Sequence, residues 1–265
     1  MTRSFFVATI LGLAALAAAA EDDHDVLFQV STIDALLAGV YDPQATVGEA
    51  LTHGDFGLGT FEGLNGELIL FEGQVYQAAY DGTISRMPAE TGTPFIAVTH
   101  FDRDQQLEVT ADQTYADFKI WLESALPSRN MIYAVRVDGH FSHMVYRSVP
   151  RQTKPYPPLA EASKEQAVFE QQNLRGSLIG FWCPSFVKGL NVPGFHLHFL
   201  SDDRQHGGHL LDFSMSAGTV SLDDTNGWNL DLPKTAAFLD SDLGADRSAA
   251  LHTVEQGTQG QGRAR

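Results

Sequence analysis

Three histidines stand close together in the last third of the chain. His196 and His198 are two residues apart in the apolar run Gly194-Phe195-His196-Leu197-His198-Phe199-Leu200. Alternate side chains of a strand share a face, so a strand here points both imidazoles the same way. Residues 202–208 are polar and contain glycine, as a turn does, and His209 then opens a second apolar run, residues 210–213. A hairpin would return His209 beside the first pair. Three neutral imidazoles at about 2.0–2.1 Å from one ion make a zinc site with its fourth position open, the catalytic rather than the structural pattern. His-x-His alone is a weak signal, and histidines packed in a sheet without metal remain the other reading. His206 falls on the expected turn and is given no ligand role.

If a metal is present, other side chains become candidates for handling protons and anions. Glu67 opens a strand directly after the turn signal Asn65-Gly66, in an otherwise apolar run. Arg147 ends the run 141–146, and Glu255 follows Leu251-His252-Thr253-Val254 near the C-terminus. By pattern alone each is equally a surface residue: a strand-edge carboxylate, a solvated cation and a tail acid.

The elements that must position these residues read as mixed α+β. Turn signals at Asn65-Gly66, Glu72-Gly73 and Asp81-Gly82 alternate with strand-like runs over 68–71 and 74–80, and 95–101 continues as a strand. Ser31-Thr32 can cap a helix over 33–38. Residues 114–126 carry Tyr115, Phe118, Trp121, Leu122 and Leu126 at helical spacing and stop at Pro127. A hairpin is expected over 131–146, turning at Asp138-Gly139, and a third helix over 163–174. Strands are expected over 177–181, 194–200, 209–217 and 219–222. The fold class is therefore α+β, with mixed or antiparallel sheets, few helices and two similar lobes. The expected division is an N-terminal α+β lobe over 21–153, a metal-binding lobe over 154–256 and a disordered tail over 257–265.

Composition narrows the partners. The net charge is −16, and 43% of the 265 residues are hydrophobic, enough for a sizeable core. So acidic a surface repels nucleic acid and any small carboxylate, so an anion site must be locally basic. Residues 1–20 carry Arg3, an apolar run over 5–16 and four alanines over 17–20, which reads as a signal peptide cleaved before Glu21. Removing them takes away one Arg and no acid. Secretion or export to a periplasm is expected, with no spanning helix, since that run is shorter than the roughly 20 apolar residues a span needs. Cys183 is the only cysteine and reads as a buried small hydrophobe.

Several motifs in order carry a resemblance. His53-Gly54-Asp55-Phe56-Gly57-Leu58-Gly59-Thr60-Phe61-Glu62-Gly63-Leu64-Asn65-Gly66-Glu67-Leu68, then Pro94-Phe95, Tyr146-Arg147-Ser148-Val149, and Pro193-Gly194-Phe195-His196-Leu197-His198-Phe199 with Gly207-Gly208-His209 are similar to the alpha-acetolactate decarboxylase family. The resemblance spans roughly residues 25–255. It implies His196, His198 and His209 as Zn2+ ligands, and Glu67, Arg147, Glu255 and Thr60 as active-site residues. It also implies a small 2-hydroxy-3-keto acid substrate, 2-acetolactate, decarboxylated to acetoin. A homodimer is left open. The alternatives are another exported three-histidine zinc enzyme, such as a hydratase, hydrolase or cupin-like protein, and a non-catalytic zinc-binding module. A cupin site usually adds a Glu soon after the His pair, and none follows His198 closely.

Overall fold

The computed structural model describes residues 24–256. The expected signal peptide, 1–20, and tail, 257–265, lie outside the described residues. Two large sheets dominate. The first has seven strands in the order Gly227–Asp231, Val26–Val30, Phe95–Thr99, Phe56–Thr60, Glu67–Phe71, Gln74–Ala78 and Ile84–Arg86. All its pairings are antiparallel except that of Val26–Val30 with Gly227–Asp231. The second is built on three long antiparallel strands, Ile132–Ser148, Ala167–Cys183 and Gly207–Thr225, with Gly194–Ser201 beside them. Gly194–Ser201 pairs with Ala167–Cys183 on one side and with the start of Gly207–Thr225 on the other, so the sheet closes on itself at that end. Helices are few and short, and the α+β class with mixed, mostly antiparallel sheets stands. Among the described residues no helix is long and apolar enough to cross a membrane.

Three sequence expectations are corrected. Asp138-Gly139 is not a turn: Ile132–Ser148 runs straight through it as one strand. Gly139 faces Gly176 and Gly218 on its two neighbours, and a Cβ there would press on Met215 Cε at 2.8 Å. The glycine serves close strand approach. Residues 163–174 are not a helix either. A 3₁₀ turn, Ser163–Glu165, leads into strand Ala167–Cys183, whose first half is laddered against Arg147–Ser148 and their predecessors. Likewise 209–217 and 219–222 form one strand with Gly218 inside it. The helix expected over 114–126 is present as Tyr115–Ala125, capped by Thr114 Oγ, which accepts from the Asp117 amide. The connector near residue 153 joins two strands of a single sheet, Ile132–Ser148 and Ala167–Cys183.

Alternation decides which residues enter the space between the sheets. In Glu67–Phe71, Leu68 and Leu70 pack outward with Val47 and Ala50, while Ile69 and Phe71 pack inward with Ile132, Ala134, Ile179 and Phe181 of the second sheet. Glu67 shares parity with Ile69, so it points inward. Thr60 shares parity with Leu58, which is also inward. In the second sheet, Leu197 and Phe199 turn to the far core, which leaves His196 and His198 on the inter-sheet face.

Arg147 reaches that face because of a β-bulge. Early in its strand the even residues Ile132 and Ala134 face the first sheet, and Tyr133, Val135, Val137 and Phe141 face away. The pairing then steps from Phe141↔Met215 to His143↔Ser214, which leaves Ser142 as an extra residue. Parity flips there: Met144 and Tyr146 now face away, and Arg147 faces inward. A bulge re-aiming a side chain is a recurrent use of the irregularity.

Gly180 is the tightest approach behind the histidines. A Cβ at this position would run into the His196 carbonyl oxygen and press on Leu58 Cδ2 at 2.8 Å. Gly180→Ala is therefore expected to destabilise the fold by about 1–3 kcal/mol, as overpacking does, and to weaken metal binding by shifting strand Gly194–Ser201. Thermal unfolding and a metal titration check this; an unchanged melting temperature and affinity would show that the strands have room to spare.

Candidate active site

The expected hairpin is present, and it sets His198 directly opposite His209. His196 and His198 share a face of Gly194–Ser201, so the three rings converge with centroids 5.2–5.4 Å apart. Their ligand nitrogens all lie within 4.8 Å of one another, the only such group among the described residues. All three are buried. His198 Nδ1 donates to the Leu68 carbonyl at 2.8 Å. A carbonyl can only accept, so the proton sits on Nδ1 and His198 Nε2 keeps a bare lone pair. That Nε2, and His196 Nδ1, are buried without a hydrogen-bond partner. Burying such atoms unpaired is costly, and a soft-to-borderline divalent cation is what this donor set fits.

Burial holds the rings neutral. It pushes His198 down to about 3, against the raising effect of the Leu68 carbonyl and with Arg147 adding a little. His196 and His209 are also lowered far below the usual imidazole value, first by burial and then by their neighbours, including Arg147. Metal ligation requires the neutral form, so this environment keeps the site ready at physiological pH.

Around the histidines stand all the other residues singled out in the sequence. Arg147 is paired directly with His209 in the ladder. Its Nη1 donates to Glu67 Oε1 at 2.8 Å, and both side chains are under a tenth exposed. The Nη2 makes only a long 3.4 Å contact with the Val254 carbonyl, and the Nε has no partner. The Glu67 Oε2 lies 3.6 Å from His198 Nε2. Thr60 is paired with Glu67 across the ladder and its hydroxyl donates to the Gly66 carbonyl. Glu255 comes from the C-terminal helix Ser248–Gln256, and its Oε2 lies 3.6 Å from His209 Nε2. Burial raises Glu255 to about 7; Arg147 opposes this and the nearby Glu67 adds to it. Burial also raises Glu67, opposed by Arg147.

Together these seven residues line one narrow cavity of ≈ 40 Å³. Its remaining wall was not foreseen from sequence. Ile33 and Leu36 of helix Ile33–Leu37, Leu159 of Leu159–Ala162 and Val254 of Ser248–Gln256 close it with apolar surface, together with Leu64, Phe95 and Val149 from outside these helices. Their helical periodicity was readable only for the first, and nothing local says that three remote short helices meet over one site.

This geometry meets a clear relation to known proteins. The alpha-acetolactate decarboxylase family model matches residues 27–245. The chain belongs to the alpha-acetolactate decarboxylase family. Curated members include one from Methanosarcina mazei, 47% identical over 88% of this chain and 81% of that protein. Another, from Bacillus subtilis, is 42% identical over 86% of this chain and 90% of its own. The crystal structure of alpha-acetolactate decarboxylase from Bacillus subtilis strain 168 superposes with a TM-score of 0.85 at 39% identity, covering 88% of this chain and 100% of that one. Membership makes the chain an enzyme, a carboxy-lyase. The family match includes Thr60, Glu67, Arg147 and the three histidines, and stops short of Glu255.

The depressed histidines give a stability test in the metal-free protein. Unfolded imidazoles take up protons near their ordinary 6.5, while His198 resists until about 3. Between these values the unfolded state binds more protons, so unfolding free energy must fall as pH is lowered through that window. Denaturant titrations across pH 3–7 are expected to show this slope, and His198→Gln to reduce it. An equal slope in the variant would mean that His198 is not held neutral by the fold.

Proposed function

We propose that the chain is a zinc-dependent decarboxylase that converts 2-acetolactate to acetoin and CO2. The observation that carries this reading is the buried histidine trio, two of its nitrogens unpartnered, set against the Glu67–Arg147 pair in one cavity. His196, His198 and His209 would hold the metal. When bound, zinc supplies a Lewis acid for the substrate oxygen that gains charge as CO2 departs.

The chain's own residues supply the rest. Acetolactate is an anion, and the protein's overall charge of −16 repels it. Arg147 is the compensating cation. Its Nη1 is fixed by Glu67, which leaves the Nε–Nη2 edge for a carboxylate, where a guanidinium can make two parallel hydrogen bonds. Glu67 acts as the charged anchor of Arg147. Glu255 is the proton donor: burial raises its pKa, and from its place beside His209 it can deliver a proton to the carbon that loses CO2. Delivery from one fixed side would favour one enantiomer. Thr60, held by the Gly66 carbonyl, lines the wall beside Glu67.

Metal-free protein, reloaded with zinc and given 2-acetolactate, is expected to release acetoin and CO2. Zinc uptake without acetoin would refute zinc-dependent decarboxylation of this substrate. Arg147→Ala is expected to lose about 10²–10³ in turnover, the usual cost of one transition-state contact, and Arg147→Lys to lose less, with zinc content unchanged in both. Near-normal turnover in Arg147→Ala would place the anion elsewhere and sink this mechanism.

Residues 1–20 support a further part of the proposal, that the chain is exported and begins at Glu21 when mature. The N-terminal mass of protein recovered outside the cytoplasm is expected to start at Glu21; an intact Met1 on protein kept in the cytoplasm would refute export.

A further inference from the structure

Ser148 follows Arg147 directly and does not line the cavity. It is fully buried, and its hydroxyl donates to the Ala78 carbonyl at 2.8 Å. That acceptor belongs to the first sheet. Ala78 ends strand Gln74–Ala78 and is the ladder partner of Glu67. Two successive residues of Ile132–Ser148 therefore grip the two halves of one rung: Arg147 holds the Glu67 carboxylate and Ser148 the Ala78 carbonyl. Consecutive side chains of a strand leave on opposite faces. The two contacts thus hold the end of this strand from both sides. A twist about the strand axis that one contact alone could follow must break the other.

The Ala78 carbonyl also lies hard against the backbone just before Glu67. A Cβ at Gly66 would run into its oxygen. The Gly66 carbonyl in turn accepts from the Thr60 hydroxyl at 2.8 Å. Each of these buried hydroxyls has a single hydrogen, and each spends it on a backbone carbonyl beside Glu67. Gly66–Glu67 is therefore confined between Thr60 on one neighbouring strand and Ala78 on the other, and Ser148 pins Ala78 from the opposite sheet. Past the strand end, the Gln152 amide donates to the Gly63 carbonyl at 2.6 Å, which stitches the exit of Ile132–Ser148 to the same turn.

We propose that Ser148 is a positioning residue for the reaction: by fixing the Ala78 carbonyl it sets the Glu67 rung, and so aims the Arg147 guanidinium at the substrate's carboxylate. This rests on the reading of Arg147 as the cation that binds the anion. With Nη1 held by Glu67, the direction of the remaining Nε–Nη2 edge follows the Glu67 carboxylate and the strand end together. Both depend on the Ser148 contact. Removing the hydroxyl deletes a buried hydrogen bond and frees the rung to tilt, and a misplacement of about 1 Å can cost on the order of 10² in rate. The histidines stand on other strands, so their capacity for zinc is untouched.

The test is a double-mutant cycle on the zinc-loaded full chain with 2-acetolactate. It uses Ser148→Ala, Arg147→Ala and the double variant, with zinc content and melting temperature recorded for each. Ser148→Ala is expected to lower kcat/KM about tenfold at parental zinc content. In the Arg147→Ala background the same change is expected to cost less than about twofold, because no guanidinium is left to aim. The melting temperature is expected to fall by about 2–6 °C in both backgrounds, since the same hydrogen bond is lost. Should Ser148→Ala fail to fold, Ser148→Cys, a weaker donor of similar shape, takes its place in the cycle. Parental kcat/KM in the Ser148 variant, or an equal loss in both backgrounds, would overturn the proposal, the second because the hydroxyl would then serve the fold alone. Near-normal turnover in Arg147→Ala would overturn it differently, by removing the anion-binding reading on which it rests.

Discussion

The interaction on which the site depends is the ion pair between Arg147 and Glu67, buried between two sheets. Neither charge could stay there alone, since an isolated ion in a low-dielectric interior costs several kcal/mol. Their 2.8 Å contact makes the burial tolerable, and it spans the gap, with Glu67 on the first sheet and Arg147 on the second. The pair therefore ties the two sheets together beside the histidines. It also sets the local field. A guanidinium beside three imidazoles opposes their protonation, and a carboxylate beside Glu255 opposes its ionisation. One contact thus helps keep the three imidazoles neutral and Glu255 protonated.

The sheets supply what a loop-built site could not. Each histidine is fixed by a ladder register: His198 faces His209, and His196 faces Phe181. The Leu68 carbonyl then fixes the tautomer of His198 from the opposite sheet. Backing this is a core of large aromatics on the far side of the second sheet, where Phe141, Phe199 and Phe213 pack edge to face. Rotating one of these strands would expose that core, so the orientation of the imidazoles is held by packing well away from the cavity.

Much of the site was legible in the chain because its signals are local. His196 and His198 need only strand parity, and the turn residues before His209 announce the hairpin. The bulge at Ser142 was not legible. Simple alternation from Tyr133 would have turned Arg147 away from Glu67, and only the resemblance placed it in the site. Asp138-Gly139 misled because the same dipeptide that makes a hairpin also makes a strand thin enough for two neighbours to approach. Residues 163–174 misled for another reason. Lys164, Glu165, Gln166, Ala167 and Glu170 are good helix formers, yet pairing with a seventeen-residue strand outweighs propensities worth a fraction of a kcal/mol each. Contact between distant segments decided both cases, and no window of sequence contains it.

The C-terminal helix completes the argument about environment. Ser248–Gln256 carries one buried apolar residue, Val254, into a cluster with Ile33, Leu64, Phe95 and Leu159. That anchor places Glu255 over the histidines and at the same time walls the cavity with hydrocarbon. The two effects cannot be separated. A carboxyl group on a wet surface would be ionised near neutral pH, whereas burial beneath apolar side chains raises Glu255 to about 7. The dry wall also strengthens every charge interaction inside it, beginning with that of Arg147 and Glu67. An acidic protein can therefore draw in a carboxylate: the repulsion belongs to a solvated, screened surface, while the attraction acts at contact distance in a poorly screened cavity.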